Sequence, residues 1–312
     1  MSKAWTYDGH GAAHVQRLVE TTDRDPGPGE VLVRVQVAGV NPLDHLLRSG
    51  VVPELLPDEP FPRVLGAEAA GVVVARGPDV TELEVGDQVF GLSLTGTYAE
   101  TAVLPVANTA VRPVEISPRV AATITVAGTT AVDALDQLDL APGATLLVNG
   151  AGGGVGTYVV QLALARGLRV VAVAGATKRS LVESLGADFL DYAAADLVSC
   201  VRARTPDGVD GMVDLVGGPS LRALAAVVRE PFAVISAGDF SVTELGGRTV
   251  ERHLDRDALA GAAVLFAAGT LHPSSITVFS LDDAAAALAV VEDGHAKGKV
   301  VVDVARDAAT SS

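Results

Sequence analysis

The sequence predicts a two-domain α/β protein, with a β-barrel or β-sandwich in front and a parallel sheet of βαβ units behind it. Three observations predict it. Short alternating or β-branched runs fill the first third, each closed by a Gly/Pro/Asp cluster. In the middle, apolar runs of buried-strand length alternate with helical stretches. A glycine-rich turn joins the first of those runs to the first of those helices. The 312 residues suit two domains at about 150 residues each.

Along the chain, His14–Glu20, Glu30–Val40, Gly71–Ala75, Asp87–Leu92 and Tyr98–Leu104 read as strands. DPGPGE at Asp25–Glu30 and RGPDV at Arg76–Val80 are turn signals between them. Leu146–Val148, Arg169–Ala174, Met212–Val216 and Phe232–Ser236 read as strands of a parallel sheet. Val155–Arg166, Lys178–Leu185 and Ser220–Arg229 read as the helices between them. Near the end, Asp282–Asp293 is an Ala-rich helix, Gly294 is its stop, and Lys299–Val304 is a closing strand.

Composition narrows the function. Lys and Arg number 23 against 38 Asp and Glu, a net charge of −15, and no basic run is present, which argues against a nucleic-acid partner. The single cysteine, Cys200, allows no intrachain disulfide and no Cys-rich zinc site; it falls in a helical stretch and reads as filler. The N-terminus MSKAWTYDGH lacks the pattern of a signal peptide. Leu140–Ala165 carries no charge, but Pro142, Asn149, Gln161 and five glycines between Gly150 and Gly156 make it strand, turn and helix, not a membrane span. A cytoplasmic protein with no membrane partner is expected.

The segment LLVNGAGGGVGTYVVQLALARG carries the strongest chemical signal. Ala151, Gly153 and Gly156 have the spacing of the dinucleotide fingerprint, with Ala at the first glycine position. Glycine permits the tight turn and lets backbone approach a pyrophosphate. The N–H groups of the helix beginning around Gly154 and Val155 supply partial positive charge for that phosphate. The alternative is a plain glycine-rich turn; the strand–turn–helix context favours the cofactor. At the end of the next strand, Gly175-Ala176-Thr177-Lys178-Arg179 contains no acid to hold a ribose 2′-hydroxyl. A small residue followed by Thr177, Lys178 and Arg179 suits a 2′-phosphate, hence NADP(H). The competing reading makes Lys178 and Arg179 a solvated first helical turn, where cations oppose the helix dipole.

Several ordered motifs together resemble the medium-chain dehydrogenase/reductase superfamily, and within it the zinc-independent NADPH:quinone oxidoreductase branch. They are AGVNPLDHLLRSG (Ala38–Gly50), VLGAEAAGVVVARGPDV (Val64–Val80), VGDQVFG (Val85–Gly91), GTYAE (Gly96–Glu100), NGAGGGVG (Asn149–Gly156), LGAD (Leu185–Asp188), DLVGG (Asp214–Gly218) and GHAKGKVVVDV (Gly294–Val304). The resemblance implies a GroES-like β-barrel domain from 1–122 and 275–312, and a Rossmann doubly wound parallel-sheet domain from 123–274. It puts the site in the cleft between them. It also implies a homodimer, to which the apolar run Ala258–Leu271 adds support.

Departures from the zinc branch are informative. Asn41 and Ala67 stand where that branch has Cys and His, and Leu43 stands where its proton-relay hydroxyl lies. Asn and Ala cannot replace a thiolate and an imidazole around tetrahedral zinc, so no metal is expected. Without a Lewis acid, hydride transfer from NADPH to a quinone or an α,β-unsaturated carbonyl is the chemistry left. By resemblance Asn41 faces the nicotinamide and donates to a carbonyl; the alternative is a turn residue before Pro42. Thr130 contacts the nicotinamide end or merely starts a helix. Tyr192 resembles a tyrosine near the adenosine phosphate. Asp44 is expected to orient its loop, Glu68 to be structural for want of a partner, and His45 and Arg48 to lie in a loop or at the surface. Two other functions stay open: an enoyl-thioester reductase of polyketide or fatty-acyl type, and a non-catalytic NADPH-binding protein. Leu55–Arg63 and Phe240–Leu265, the segments expected to set acceptor specificity, carry no readable chemistry.

Overall fold

The structure is a computed structural model that describes residues 1–294 and 296–304. His295 of the last motif and the tail from 305 lie outside the described residues. In chain order the first elements are β1 (Ser2–Tyr7), β2 (Gln16–Thr21), β3 (Glu30–Val40), α1 (Pro42–Ser49), β4 (Arg63–Val64), β5 (Glu68–Arg76), β6 (Gln88–Leu92), β7 (Thr101–Pro105), β8 (Thr109–Val111) and α2 (Pro118–Ala121). Next come α3 (Thr129–Leu138), β9 (Thr145–Asn149), α4 (Gly154–Ala165), β10 (Arg169–Ala174), α5 (Arg179–Ser184), β11 (Asp188–Asp191), α6 (Leu197–Arg204), β12 (Gly211–Asp214), α7 (Gly218–Ala225), β13 (Val234–Ser236) and β14 (Arg248–Thr249). The chain finishes with α8 (Arg256–Ala267), β15 (Ile276–Ser280), α9 (Ala284–Glu292) and β16 (Lys299–Asp303).

Two compact units result. The first holds Met1–Val126, Leu254–Ala267 and the described part of Ile276–Ser312. Its larger sheet runs β15-β16-β3-β5-β6-β8, with β7 paired to the first half of β3. A smaller sheet runs β2-β1-β4. Strand β3 is the spine. Its alternate residues Val31, Val33 and Val35 are buried in one aliphatic core with Val73, Val89, Leu104, Leu288 and Val302. Irregular register between β3 and β5 at Leu32/Val33 and Val35/Val37 bends the pair. Such curvature is what a barrel-like sheet requires.

The second unit holds Ala127–His253 with Ala268–Ser275. Its six strands run β11-β10-β9-β12-β13-β14, and every pair is parallel. Numbered within the unit this is order 3-2-1-4-5-6, the doubly wound arrangement, in which ligands bind outside the carboxyl ends of the strands where the order reverses. The reversal lies at β9, whose five residues are all buried. No helix among the described residues is long and apolar enough to cross a membrane.

The compact units divide at other places than the expected 122/123 and 274/275. Residues 123–126 belong to the first unit, and so does 254–267. Helix α8 packs on β8, where Arg256 donates to the carbonyls of Val106 (3.1 Å) and Thr109 (3.3 Å). It buries Leu259, Ala262, Ala263 and Phe266 and exposes Val264. Much of the apolar run Ala258–Leu271 is therefore satisfied inside the chain.

Candidate functional site

The second unit builds a tight glycine turn at the end of β9. The N–H groups of Gly150 and Ala151 both donate to Val173 O of β10 at 3.0 Å, which turns the chain over the sheet. Gly150 takes φ of 90°, a left-handed conformation open to glycine. A Cβ at Gly156 would collide with the Gly150 carbonyl, so only glycine lets α4 start this close to β9. No side chain caps α4, whose first residues Gly154 and Val155, with Gly153 before them, are half-buried. An open helix N-terminus beside a tight turn suits a pyrophosphate. Beneath it, the Asn149 amide donates to Asp214 at 2.7 Å and to Ser220 at 2.9 Å. Fully buried Asp214 also accepts from Ser236 at 2.7 Å and from the Gly217 N–H at 3.0 Å. This carboxylate ties the ends of β9, β12 and β13 together.

The sequence-predicted cofactor residues separate at the end of β10. Lys178 lies across the glycine turn: a Cβ placed on Gly152 would be 2.6 Å from its Cδ. Arg179 turns the other way, with its guanidinium 4.4 Å from the Phe189 ring centroid and 3.2 Å from Glu183. Thr177 is exposed beside them. The Tyr192 ring stands over Gly175, 3.1 Å from where a Cβ would be, and is 64% exposed. Ala151, Gly153, Gly154, Val155, Gly156, Gly175, Thr177, Lys178 and Tyr192 thus gather at the carboxyl ends of β9–β11, and Arg179 points away. Thr130 is buried in the first turn of α3, next to Thr129, whose hydroxyl accepts from Arg252 at 2.7 Å.

The first unit carries a separate buried polar cluster. Asn41 is 2% exposed and precedes α1. Its Oδ1 accepts from Lys299 Nζ at 2.6 Å, and its Nδ2 donates to Glu68 Oε2 at 2.8 Å. Lys299 Nζ lies 3.7 Å from the same carboxylate, and the Val126 N–H donates to Glu68 Oε1 at 3.0 Å. The strand register delivers these groups. Val300 of β16 faces Val40 of β3, which brings Lys299 beside Asn41, and Glu68 of β5 faces Gly39. A Cβ at Gly39 would collide with Glu68 Oε2 and the Ala122 carbonyl.

Asp44 completes the cluster. Its Oδ2 accepts from the Asn41 N–H at 2.8 Å and the Tyr98 hydroxyl at 2.7 Å. Burial pushes the Asp44 carboxyl up to about 7, against the downward pull of those two hydrogen bonds. Burial and neighbouring Asp44 hold the Tyr98 phenol well above its ordinary range, so it remains a donor. Asp44 therefore does orient its loop. One expectation is overturned, and the premise behind another. Glu68 has a partner after all in Lys299, which sequence reasoning passed over as the start of a strand. Arg48 is not a surface residue: it is 1% exposed and donates to Gln16 at 2.9 Å, Gly11 O at 3.2 Å and Glu292 at 2.8 Å. A lysine opening an otherwise apolar strand was the available signal, because a buried lysine requires a partner.

Comparison with known proteins agrees with this architecture. Residues 27–115 match the alcohol dehydrogenase GroES-like domain, and 185–302 match the zinc-binding dehydrogenase domain. The chain is 32% identical to the chloroplastic quinone-oxidoreductase QR1 of Triphysaria versicolor, over 97% of this chain and 98% of that one. It is 31% identical to the 2-methylene-furan-3-one reductase of Solanum lycopersicum, over 96% of this chain and 78% of the relative. Among solved structures, the Escherichia coli quinone oxidoreductase complexed with NADPH superposes with a TM-score of 0.87 at 25% identity, covering 97% of this chain and 100% of that one.

Proposed function

The chain belongs to the medium-chain dehydrogenase/reductase superfamily, in its quinone-oxidoreductase-like branch, and from that premise we propose that it is a zinc-independent, NADPH-dependent reductase of quinones or α,β-unsaturated carbonyls, working as a cytoplasmic homodimer. It is an oxidoreductase acting on a small molecule, with a nicotinamide cofactor.

The observation that carries the reading is the Lys299–Asn41–Glu68 cluster. Asn41 stands at a metal-ligand position of the zinc-dependent branch, and an ammonium sits 2.6 Å from its amide oxygen. A divalent cation there would face a fixed positive charge as well as an amide in place of a thiolate. The surroundings suit a neutral hydrogen-bond donor instead. When bound, NADPH supplies the hydride. This chain's own residues do the rest. The glycine turn and the α4 N-terminus hold the pyrophosphate. Lys178, with Thr177 and Tyr192, receives the 2′-phosphate. Asn41 donates to the carbonyl oxygen on which charge develops. Conjugation in the acceptor spreads that charge, so no Lewis acid is required.

The test is NADPH consumption by purified protein with quinones, enones and enoyl thioesters in turn. Steady turnover with a quinone or enone is expected. Turnover confined to thioesters would make the protein an enoyl-thioester reductase, and none with any acceptor would make it a binder; either result overturns the proposal.

A further inference from the structure

We propose that Lys299 and Glu68 are positioning residues that lock the Asn41 side-chain amide, oxygen toward the ammonium and nitrogen toward the carboxylate, so that Asn41 meets its ligand as an N–H donor and the site selects acceptors bearing a carbonyl oxygen. This rests on the role given to Asn41 above.

An asparagine amide has two ends of nearly equal shape and opposite polarity, and its neighbours decide which way it points. Here they act in concert. The Lys299 ammonium can only donate, and it lies 2.6 Å from Oδ1. The Glu68 carboxylate accepts from Nδ2 at 2.8 Å. Flipping the amide would set N–H against ammonium and oxygen against carboxylate. Lys299 is 3% exposed and Glu68 0%, so water cannot relieve those two repulsions. The clamp is itself anchored: Glu68 by the Val126 N–H at 3.0 Å, and Lys299 by its place in β16 beside β3.

The clamp also alters the amide's chemistry. A cation on the oxygen draws electron density through the C–N bond and makes the nitrogen's hydrogens better donors. Nδ2 has two hydrogens, and Glu68 takes one. The second is left for a ligand's acceptor atom. Its hydrogen bond strengthens as that atom gains negative charge, so it favours the transition state over bound substrate. A ketone, enone or quinone oxygen meets that requirement. An alcohol, which needs its proton removed, does not.

The test compares Lys299→Met/Glu68→Gln, which removes both buried charges together, with Asn41→Ala and with the triple variant. The paired variant should unfold at a temperature close to wild type and bind NADPH within about two-fold, while kcat with a quinone or enone falls about 10- to 100-fold and KM changes little. Asn41→Ala should lose at least as much, and the triple variant no more than Asn41→Ala. Wild-type kcat in the paired variant, or losses that multiply in the triple variant, would overturn the proposal. A second readout needs no acceptor. In the NADP-loaded protein, the Asn41 side-chain ¹⁵N–H₂ signal, assigned by its loss in Asn41→Ala, should show two widely separated proton shifts that draw together in the paired variant. That pattern in a protein that reduces nothing would sink the reductase reading and keep the clamp. Ordinary, closely spaced shifts in an active wild type would sink the clamp alone.

Discussion

Asp44 is a carboxyl group whose surroundings set its charge. It is 1% exposed, both its hydrogen bonds fall on Oδ2, and Oδ1 has no partner among the described residues. Burial is the main reason its pKa rises to about 7; neighbouring Glu68 adds to the rise, and Lys299 opposes it. In the unfolded chain the group titrates near the ordinary value of about 3.9. Between those two values the native state holds a proton that the unfolded state has released, so this group's contribution to stability falls as pH rises from about 4 to about 7 and is level above that. Asp44→Asn imitates the neutral acid and removes the titration. Its stability relative to wild type should rise by of order 4 kcal/mol across that window and then stay constant. Urea unfolding of both proteins at a series of pH values measures this; a difference that does not change with pH would refute it. The motif made Asp44 legible as an orienting residue. Its charge state was not legible, because it depends on Tyr98, Glu68 and Lys299, which lie far from Asp44 in sequence and arrive through strand pairing.

Elements were legible where their own residues carried the pattern. Glu30–Val40 and Arg169–Ala174 are strands with the bounds expected, and α4 is displaced by one residue. Other elements exist because of their neighbours. β4 and β14 have two residues each and are defined by the edges they join. In β1 the usual alternation is inverted: small or polar Ser2, Ala4 and Thr6 are buried, while Trp5 is half-exposed and donates to Leu281 O at 2.6 Å. The turn after β10 was legible in composition but not in direction. Lys178 and Arg179 are adjacent, yet Lys178 crosses the glycine turn and Arg179 stacks on Phe189. Lys178→Ala should therefore weaken NADPH binding roughly ten- to a hundred-fold and leave NADH nearly unchanged. Arg179→Ala should change both little. Gly175→Asp should shift preference toward NADH, with the Tyr192 ring moving aside. Titration of both nucleotides into the three variants decides the matter; equal losses of NADPH and NADH in Lys178→Ala would remove the 2′-phosphate role.

At the scale of the whole molecule, the two-unit plan was visible in the change from short β runs to alternating strands and helices. Its borders were not. The chain enters the first unit three times, and α8 returns to it without a linker of distinctive composition. The zinc question also belongs to this scale, because Asn41 follows β3, Ala67 precedes β5, and the Lys299 ammonium that meets Asn41 comes from β16. Elemental analysis of purified protein should find no stoichiometric zinc, and a chelator should leave turnover unchanged. Zinc at one per chain, with activity lost to chelator and restored by the metal, would reverse that conclusion.

The place of β16 between β15 and β3 has a consequence for biosynthesis. Val300 of β16 pairs with Val40 of β3, which leaves the ribosome far earlier. At about 5–20 residues per second, the interval between them is roughly 15–50 s. The contiguous stretch Ala127–His253, with all six of its parallel strands, emerges completely during that wait. The second unit can close while the first still shows water an unpaired edge of β3. Nascent chains stalled before residue 299 should therefore display a folded second unit and, in the first, an adhesive, unfinished sheet, and should engage chaperones late in translation rather than early.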